Sequence, residues 1–204
     1  MRAVPVIIPT LDYRAGVSTI AAITEAVVRM GRQPAVIVVS SSGLLDTRNQ
    51  ALRVLKMLKL GDKPYAFWID SDIYFADSTE KLKRYMMQAE TEGVGIVAPY
   101  FLLNGNSSLL TEKGPIPWEQ ANAMKDWSPV DAAGLGFYYG PTPLNYTFHT
   151  IDTGVKMKGE DVLFFRENHI PLRVAQLKLQ HIKYVPLPQN INEPKNLNID
   201  DAHS

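Results

Sequence analysis

Continuous apolar runs and stretches of helical spacing alternate through the first hundred residues of the 204-residue chain. Four apolar runs, rich in β-branched and aromatic residues, have the length of strands, at residues 4–8, 35–42, 65–70 and 93–101. Runs that lack polar alternation are typical of strands buried on both faces of a sheet. The pattern therefore predicts a central sheet with four early strands.

Three helices are predicted between these strands. Apolar residues recur at helical spacing from Gly16 to Met30, and Gly31 stands where a C-cap glycine is expected. Thr47 opens a segment with capping-box spacing ahead of the second helix, and Ser78 is placed to cap the third. Strands that alternate with amphipathic helices favour a mostly parallel sheet with helices on both faces, so we expect an α/β fold.

The pattern becomes irregular after residue 101. The segment "GLGFYYG" at residues 134–140 is a candidate strand in spite of its glycines. Residues 159–176 are expected to form a helix that breaks or starts near Pro171. The polar, proline-containing tail at residues 185–204 is expected to be extended or partly disordered.

Composition narrows the possible functions. Lysine plus arginine equals aspartate plus glutamate at 21 each, so the charge balance does not favour nucleic acid as a partner. The chain has no cysteine, which excludes disulfides, thiolate metal sites and a cysteine nucleophile. No run reaches the roughly 18 to 20 apolar residues of a membrane span, and residues 1–9 suit a first strand better than a signal peptide. We therefore expect a soluble, cytoplasmic protein.

Two carboxylates stand at the end of the third predicted strand, in the segment "YAFWIDSDIYF" at residues 65–75. Ligands of open α/β sheets bind beyond the carboxyl ends of the strands, where Asp70 and Asp72 are expected. Residues i and i+2 of an extended segment point to the same side, so both carboxylates could face one cation. A capped turn with a solvated carboxylate is the common alternative for an isolated Asp-X-Asp, but this pair lies within an apolar run.

The segment "FWIDSDI" resembles the DXD motif of nucleotide-sugar glycosyltransferases with the GT-A fold, in particular the inverting, family-2-like enzymes. The resemblance implies a Rossmann-like, mostly parallel sheet and a single catalytic domain over residues 1–184. It divides that domain into a nucleotide-binding half at residues 1–101 and an acceptor half at residues 102–184. It also implies that Asp70 and Asp72 hold Mn²⁺ or Mg²⁺ against the donor diphosphate. An archaeal or viral member would suit the cysteine-free composition.

Two further segments follow the order of the family. "VIIPTLDY" resembles the strand and loop that contact the nucleotide, with Asp12 and Tyr13 as the matching residues, although an ordinary loop would look the same. "LLDTRNQAL" resembles the segment in which an Arg-Asn pair opens a helix beside the nucleotide. Arg48 would there lie in the first turn of a helix, where a cation is unfavourable unless a phosphate or a carboxylate such as Asp46 neutralises it.

The last segment is the longest, running from "VDAAGLGFYYG" through "KGEDVLFFREN" to "LQHIKYV". It resembles the acceptor half of the inverting enzymes, and the resemblance makes Asp161 the base, Glu160 its acidic neighbour and His181 a metal ligand. The residues by themselves leave alternatives open. Carboxylates at a helix start also compensate the helix dipole, and a histidine in an apolar setting is often a hydrogen-bonded core residue.

The resemblance implies a hexosyltransferase-like reaction. A sugar would pass from a UDP- or GDP-sugar to a hydroxyl group of a glycan, a protein or a small molecule. The Gln/Arg-x-x-Arg-Trp segment of processive synthases is absent. Two other classes stay open: a metal-dependent nucleotidyltransferase, which also uses paired aspartates, and a non-catalytic nucleotide- or sugar-binding module of the same fold.

Overall fold

The computed structural model describes residues 3–10, 17–102, 104–152 and 157–181. Asp12, Tyr13 and the tail at residues 185–204 lie outside this part of the chain, so the predictions made for them stay predictions. The first half contains β1 (Ala3–Thr10), α1 (Val17–Arg29), β2 (Gln33–Ser40), α2 (Leu44–Met57), β3 (Tyr65–Ile69), β4 (Ile73–Phe75), α3 (Thr79–Glu92) and β5 (Gly95–Val97).

The second half consists mostly of short strands. Its elements are β6 (Asn106–Thr111), β7 (Gly114–Pro117), α4 (Trp118–Asn122), β8 (Pro129–Val130), β9 (Ala132–Ala133), β10 (Phe137–Pro141), β11 (Ile151–Asp152), β12 (Met157–Lys158), α5 (Glu160–Glu167), β13 (Leu172–Val174) and β14 (Leu179–His181). The predicted strand at residues 134–140 is confirmed from Phe137 onwards as β10, whereas residues 134–136 lie outside it and include a turn. The predicted helix at residues 159–176 is wrong beyond Glu167, because the chain turns there and enters β13.

A seven-stranded sheet forms the centre of the molecule, in the order β2-β1-β3-β10-β5-β13-β8. Strands β1, β2 and β3 are parallel to one another, and β13 is parallel to β5. Strand β10 lies antiparallel between β3 and β5, and β8 is antiparallel to β13. The sheet is therefore mixed, because a strand from the second half separates β3 from β5, which the sequence pattern presented as successive strands.

Helices cover both faces of this sheet, as predicted. Alternate residues of β1 and β3 point to opposite faces: Val6 and Phe67 pack with α1 and α3, whereas Ile7 and Trp68 pack with α2 and α5. All four of these side chains are buried. The molecule thus has one hydrophobic core on each face of the sheet, which is the layered arrangement of an α/β fold.

The predicted helix boundaries are partly confirmed. Ser78 caps α3 by accepting a hydrogen bond from the backbone of Lys81, and Gly31 follows α1 with φ at 71°. Thr47 does not cap α2, because the helix begins at Leu44 after Gly43. The Thr47 hydroxyl instead donates to the Gly43 carbonyl oxygen at 2.8 Å, within the helix.

Two small sheets flank the carboxyl edge of the central sheet. Strands β7, β6 and β9 form one of them, and β4 pairs with β14 in the other. The predicted elaboration of the second half is thus a set of short antiparallel strands. Among the described residues, no helix has both the length and the apolar character that crossing a bilayer requires.

Candidate functional site

Asp70 and Asp72 lie where β3 ends at the carboxyl edge of the central sheet. The backbone N–H of Asp70 donates to the carbonyl of Gly136 at 3.1 Å, and the N–H of Ile73 donates back to the Asp70 carbonyl at 3.1 Å. Residues 70–72 therefore leave the strand in a turn. The Asp70 carboxylate pairs with Arg48 and the Asp72 carboxylate with His181. The two lie close enough for the charge of Asp72 to raise the pKa of Asp70, and a shared cation stays a prediction.

Arg48 is the charged centre of the site. Its side chain is only 1% exposed, and it meets three carboxylates. It donates to Glu160 at 2.8 Å, contacts Asp161 directly, and lies 3.6 Å from Asp70. The sequence predicts Arg48 in the first turn of a helix. Because α2 begins at Leu44, Arg48 instead lies in the second turn.

Asp46, the alternative partner of Arg48, accepts instead from the Ser41 hydroxyl at 2.7 Å. Asn49, which follows Arg48 in the chain, has a structural role. Its side-chain amide donates to the Phe148 carbonyl at 2.9 Å and accepts from the Phe148 N–H at 2.7 Å. This reciprocal pair fixes the loop after β10 against α2. Asn49 thereby keeps the start of α2 in place beside the site.

The charges around Arg48 are unbalanced, since one guanidinium serves three carboxylates. Burial raises the pKa of the Asp70 carboxyl above its usual value; the charge of Arg48 opposes that rise and the charge of Asp72 adds to it. Asp70 Oδ1 is a buried atom without a hydrogen-bond partner. The nearest cationic atom, Nη2 of Arg48, lies 3.6 Å from this oxygen, so a further hydrogen-bond donor would stabilise the carboxylate.

Glu160 and Asp161 open helix α5, directly after Gly159. Asp161 Oδ2 accepts a hydrogen bond from the backbone N–H of Leu135 at 3.2 Å. Together with the contact to Arg48, this bond fixes the carboxylate between α5 and the glycine-rich segment before β10. Dipole compensation explains why acidic residues suit this position, and the contacts explain why Asp161 has one orientation.

His181 and Asp72 form the second polar contact of the site. His181 Nε2 lies 2.9 Å from Asp72 Oδ2, and the pairing of β14 with β4 brings the two residues together. The imidazole is 13% exposed and packs edge-on against Tyr100, with 5.3 Å between the ring centroids. Both a hydrogen-bonded core histidine and a metal ligand beside a carboxylate would show this contact, so the role of His181 in metal binding stays a prediction.

The predicted metal ligands do not gather into one group. Among the described residues, no three His, Asp or Glu side chains are placed together to hold a metal ion. Asp72 and His181 supply two neighbouring donors, and Asp70 supplies the orphaned oxygen. Carboxylate oxygens and an imidazole are donors that Mg²⁺ and Mn²⁺ accept, and Mg²⁺ commonly takes one or two carboxylates with the remaining positions filled by other oxygen ligands.

Tyr100 belongs to the site and was not singled out from the sequence. Burial raises the pKa of its hydroxyl, with a further contribution from the charge of Asp70, so the group stays protonated at neutral pH and can donate. Gly134 and Gly136 make room for this hydroxyl: a Cβ atom would stand 2.6 Å from it at Gly134 and 2.4 Å at Gly136. The glycines on either side of Leu135 are the feature of the sequence that could have indicated a bulky side chain packed against this segment.

A cavity of about 270 Å³ opens beside Asp161. The three-stranded sheet of β6, β7 and β9 forms one wall, and the start of α5 forms another. Tyr100 and Gly134 also line it. The cavity therefore ends at the carboxylate that the sequence indicated as a base.

The structure thus brings six predicted residues to one edge of the sheet in two contact groups. Arg48, Asp70, Glu160 and Asp161 form the first group, and Asp72 and His181 form the second. The chain matches no protein-family model, and no curated protein shows significant sequence similarity to it. The class is therefore defined by fold and site alone: an α/β protein with an acidic site at the carboxyl edge of a mixed sheet.

Proposed function

We propose that the chain is a divalent-metal-dependent glycosyltransferase of GT-A type that moves a sugar from a UDP- or GDP-sugar to a hydroxyl acceptor with inversion. One observation carries the proposal. The carboxylate of Asp70, which follows β3, and the carboxylate of Asp161 lie at the same sheet edge and are linked through Arg48, with a cavity beside Asp161. Such a reaction needs acidic groups for the donor cation and a separate carboxylate beside the acceptor.

Asp161 would act as the general base. In the proposed step the acceptor oxygen attacks the anomeric carbon of the donor while its proton passes to the Asp161 carboxylate. The bond between the anomeric carbon and the diphosphate oxygen breaks, and its electron pair leaves with the nucleoside diphosphate. Attack from the face opposite to the leaving group inverts the anomeric centre.

The surrounding residues position this base. Arg48 and the backbone N–H of Leu135 hold the Asp161 carboxylate in one orientation, and Glu160 shares Arg48. Because Arg48 is buried among carboxylates, its proposed role is to position Asp161. A direct contact between Arg48 and the nucleotide stays a prediction.

Asp72 and His181 would hold the cation, with Asp70 beside them. When bound, Mn²⁺ or Mg²⁺ would neutralise the charge that develops on the leaving diphosphate. The protonated Tyr100 hydroxyl lies close to Asp70 and would donate a hydrogen bond to a ligand oxygen there. The chain's own groups thus cover the donor side, and Asp161 covers the acceptor side.

A thermal-shift screen tests the proposal. The full chain is heated with UDP, GDP, UDP-glucose and GDP-mannose, each with and without Mn²⁺. We expect one nucleotide series to raise the melting temperature only when Mn²⁺ is present, since a ligand at 100 times its Kd adds about 2.7 kcal/mol of stability. No shift with any of these nucleotides would overturn the proposal, and pyrophosphate release from a nucleoside triphosphate would instead support a nucleotidyltransferase.

Two substitutions then separate the roles of the carboxylates. Asp161→Asn should reduce sugar transfer by about 10²- to 10⁴-fold and keep the Mn²⁺-dependent nucleotide shift, because a general base contributes on that order. Asp72→Ala should abolish the shift itself. Asp62→Asn, in an exposed loop, is the matched control. Normal transfer by Asp161→Asn would show that another group takes the proton.

A further inference from the structure

The cavity beside Asp161 has a chemical character that bears on the acceptor. Leu102, Leu110, Pro115 and Val162 contribute apolar side chains to its wall, and Tyr100 contributes an aromatic ring. Asp161 is the single charged side chain among the described residues that line it. The cavity is thus an apolar recess with a carboxylate at one end.

The serines in the wall are already engaged within the protein. Ser107 donates to the Ile116 carbonyl at 2.9 Å. Ser108 donates to the Ala98 carbonyl at 3.4 Å and accepts from the Tyr100 N–H at 3.2 Å. Both side chains are at most 3% exposed. Their hydroxyls therefore add little hydrogen-bonding capacity for a ligand.

Besides the Tyr100 hydroxyl, the remaining polar side chains in the wall are two asparagines, one shortly before β6 and one at its start. Asn104 is exposed and Asn106 is half-buried. Asn104 Oδ1 accepts from the backbone N–H of Asn106 at 3.2 Å, which fixes the bend there. An amide recognises hydroxyl groups and brings no charge. The polar side chains available to a ligand are thus the Asp161 carboxylate, the protonated Tyr100 hydroxyl and two neutral amides.

We infer that the acceptor is a neutral hydroxyl compound whose apolar part, an aromatic ring or a short aliphatic chain, occupies this cavity. The inference rests on the proposed function and names its acceptor class. An anionic acceptor, such as a sugar phosphate, would bring a further negative charge beside Asp161, whose one cationic partner, Arg48, is already shared with Asp70 and Glu160. The described residues that line the cavity include no cation. An apolar group would gain by leaving water for the leucine, proline and valine side chains.

The size of the cavity limits the part of the acceptor that it takes. Its volume of about 270 Å³ lies just below the range of about 300–1,000 Å³ typical of ligand pockets. It therefore admits one ring or a short chain, and the rest of the acceptor extends past the asparagines. The reacting hydroxyl would lie beside Asp161, which lines the cavity.

Equilibrium binding to the full chain tests the inference with three probes. Phenyl β-glucoside carries an apolar ring, methyl β-glucoside lacks it, and glucose 6-phosphate carries charge. Ligand-observed NMR titrations in the presence of Mn²⁺ and the nucleotide that gives a thermal shift should rank them in that order. We expect the Kd of phenyl β-glucoside to be at least about tenfold lower than that of methyl β-glucoside, as for burial of an apolar group.

A charge-introducing variant sharpens the test. Leu110→Lys should raise the Kd of phenyl β-glucoside by at least about tenfold and make glucose 6-phosphate bind more tightly than in the parent chain. Asn106→Lys places a cation at the entrance without removing an apolar group, so it should strengthen glucose 6-phosphate binding even where Leu110→Lys fails to fold. Leu58→Lys, at an exposed leucine after α2, is the matched control.

Three results would overturn the inference: equal binding of the phenyl and methyl glucosides, preference of the parent chain for glucose 6-phosphate, or no binding of any probe. These failures differ from failure of the proposed function. If a nucleotide still binds with Mn²⁺, only the acceptor class is wrong. If no nucleotide binds, the proposed function fails whatever the probes do.

Discussion

At the scale of the residue, Arg48 has the most unusual environment in the site. Arginine is rarely buried unless it is paired, and Arg48 pairs with acidic groups from two separate parts of the chain. Removing one partner of a buried ionic group leaves uncompensated charge, which costs more than the pair itself contributes. The carboxylates around Arg48 therefore depend on it for their place in the folded protein.

We predict that Arg48→Met lowers the free energy of unfolding by about 3–5 kcal/mol at neutral pH, measured by urea denaturation. The loss should shrink towards pH 4. Burial raises the pKa of Asp70 and Arg48 opposes that rise, so its removal raises this pKa further. When the folded-state pKa of a carboxyl exceeds its unfolded-state value of 3.8, the protein loses stability as the pH rises from the unfolded-state pKa to the folded-state pKa.

Arg29→Met provides the comparison for this prediction. Arg29 is half exposed and pairs with Glu25 on its own helix, so its replacement should change stability by less than about 1 kcal/mol. Equal losses for both variants would mean that Arg48 does not neutralise the site. A loss for Arg48→Met that stayed constant with pH would mean that packing, and not charge, is responsible.

At the scale of the element, the segment before β10 packs closely against the residues after β5 because Gly134 and Gly136 have no side chain. The Tyr100 hydroxyl occupies the space that a Cβ atom on Gly134 would need, and the next nearest atoms lie 3.7 Å away. Because Leu135 from the same segment donates to Asp161, a displacement of this segment would also move the base. A close approach of this kind is a reason for glycine inside a strand-like run.

We predict that Gly134→Ala costs about 1–3 kcal/mol in the parent chain and much less in a Tyr100→Phe background, where the hydroxyl is gone. A double-mutant cycle by urea denaturation should give a coupling energy above about 0.5 kcal/mol. Gly43→Ala, where a Cβ would meet nothing within 4 Å, should show no coupling to Tyr100→Phe. An equal cost of Gly134→Ala in both backgrounds would disprove the contact.

At the scale of the whole molecule, the two halves that the sequence suggested are interleaved in one sheet. Strand β10, from the second half, pairs with β3 on one side and with β5 on the other. The other neighbour of β5 is β13, which also comes from the second half. The division at residue 101 therefore follows chain order and not the hydrogen bonding of the sheet.

We predict that residues 1–101 expressed alone do not unfold cooperatively, because β5 would have neither of its neighbours and one edge of β3 would be unpaired. Thermal unfolding followed by circular dichroism, with the full chain as the control, measures this. A sharp transition of the fragment, accompanied by a dispersed amide NMR spectrum, would mean that the first half is an independent unit.

The local patterns of the chain were enough to predict most elements of the first half and the candidate site residues. Apolar runs, helical spacing and the cap at Ser78 depend on neighbours in the sequence, so they could be read without the fold. The extra strands and the end of α5 could not, since short strands acquire their stability from partners that are distant along the chain. The paired aspartates were visible for their chemistry, but the turn that separates them was not.

The contacts among these residues depend on how the whole chain packs in three dimensions. Arg48 contacts residues more than a hundred positions away in the chain. Tyr100 packs against Gly134, a contact that no pattern of sequence spacing predicts. Contacts of this kind depend on which strands become neighbours, and here an antiparallel strand inserted itself between two that looked adjacent. The chemical groups and the elements that carry them could be predicted from the chain alone, because both follow from local preferences. The partners of each group were set by the packing of the whole chain.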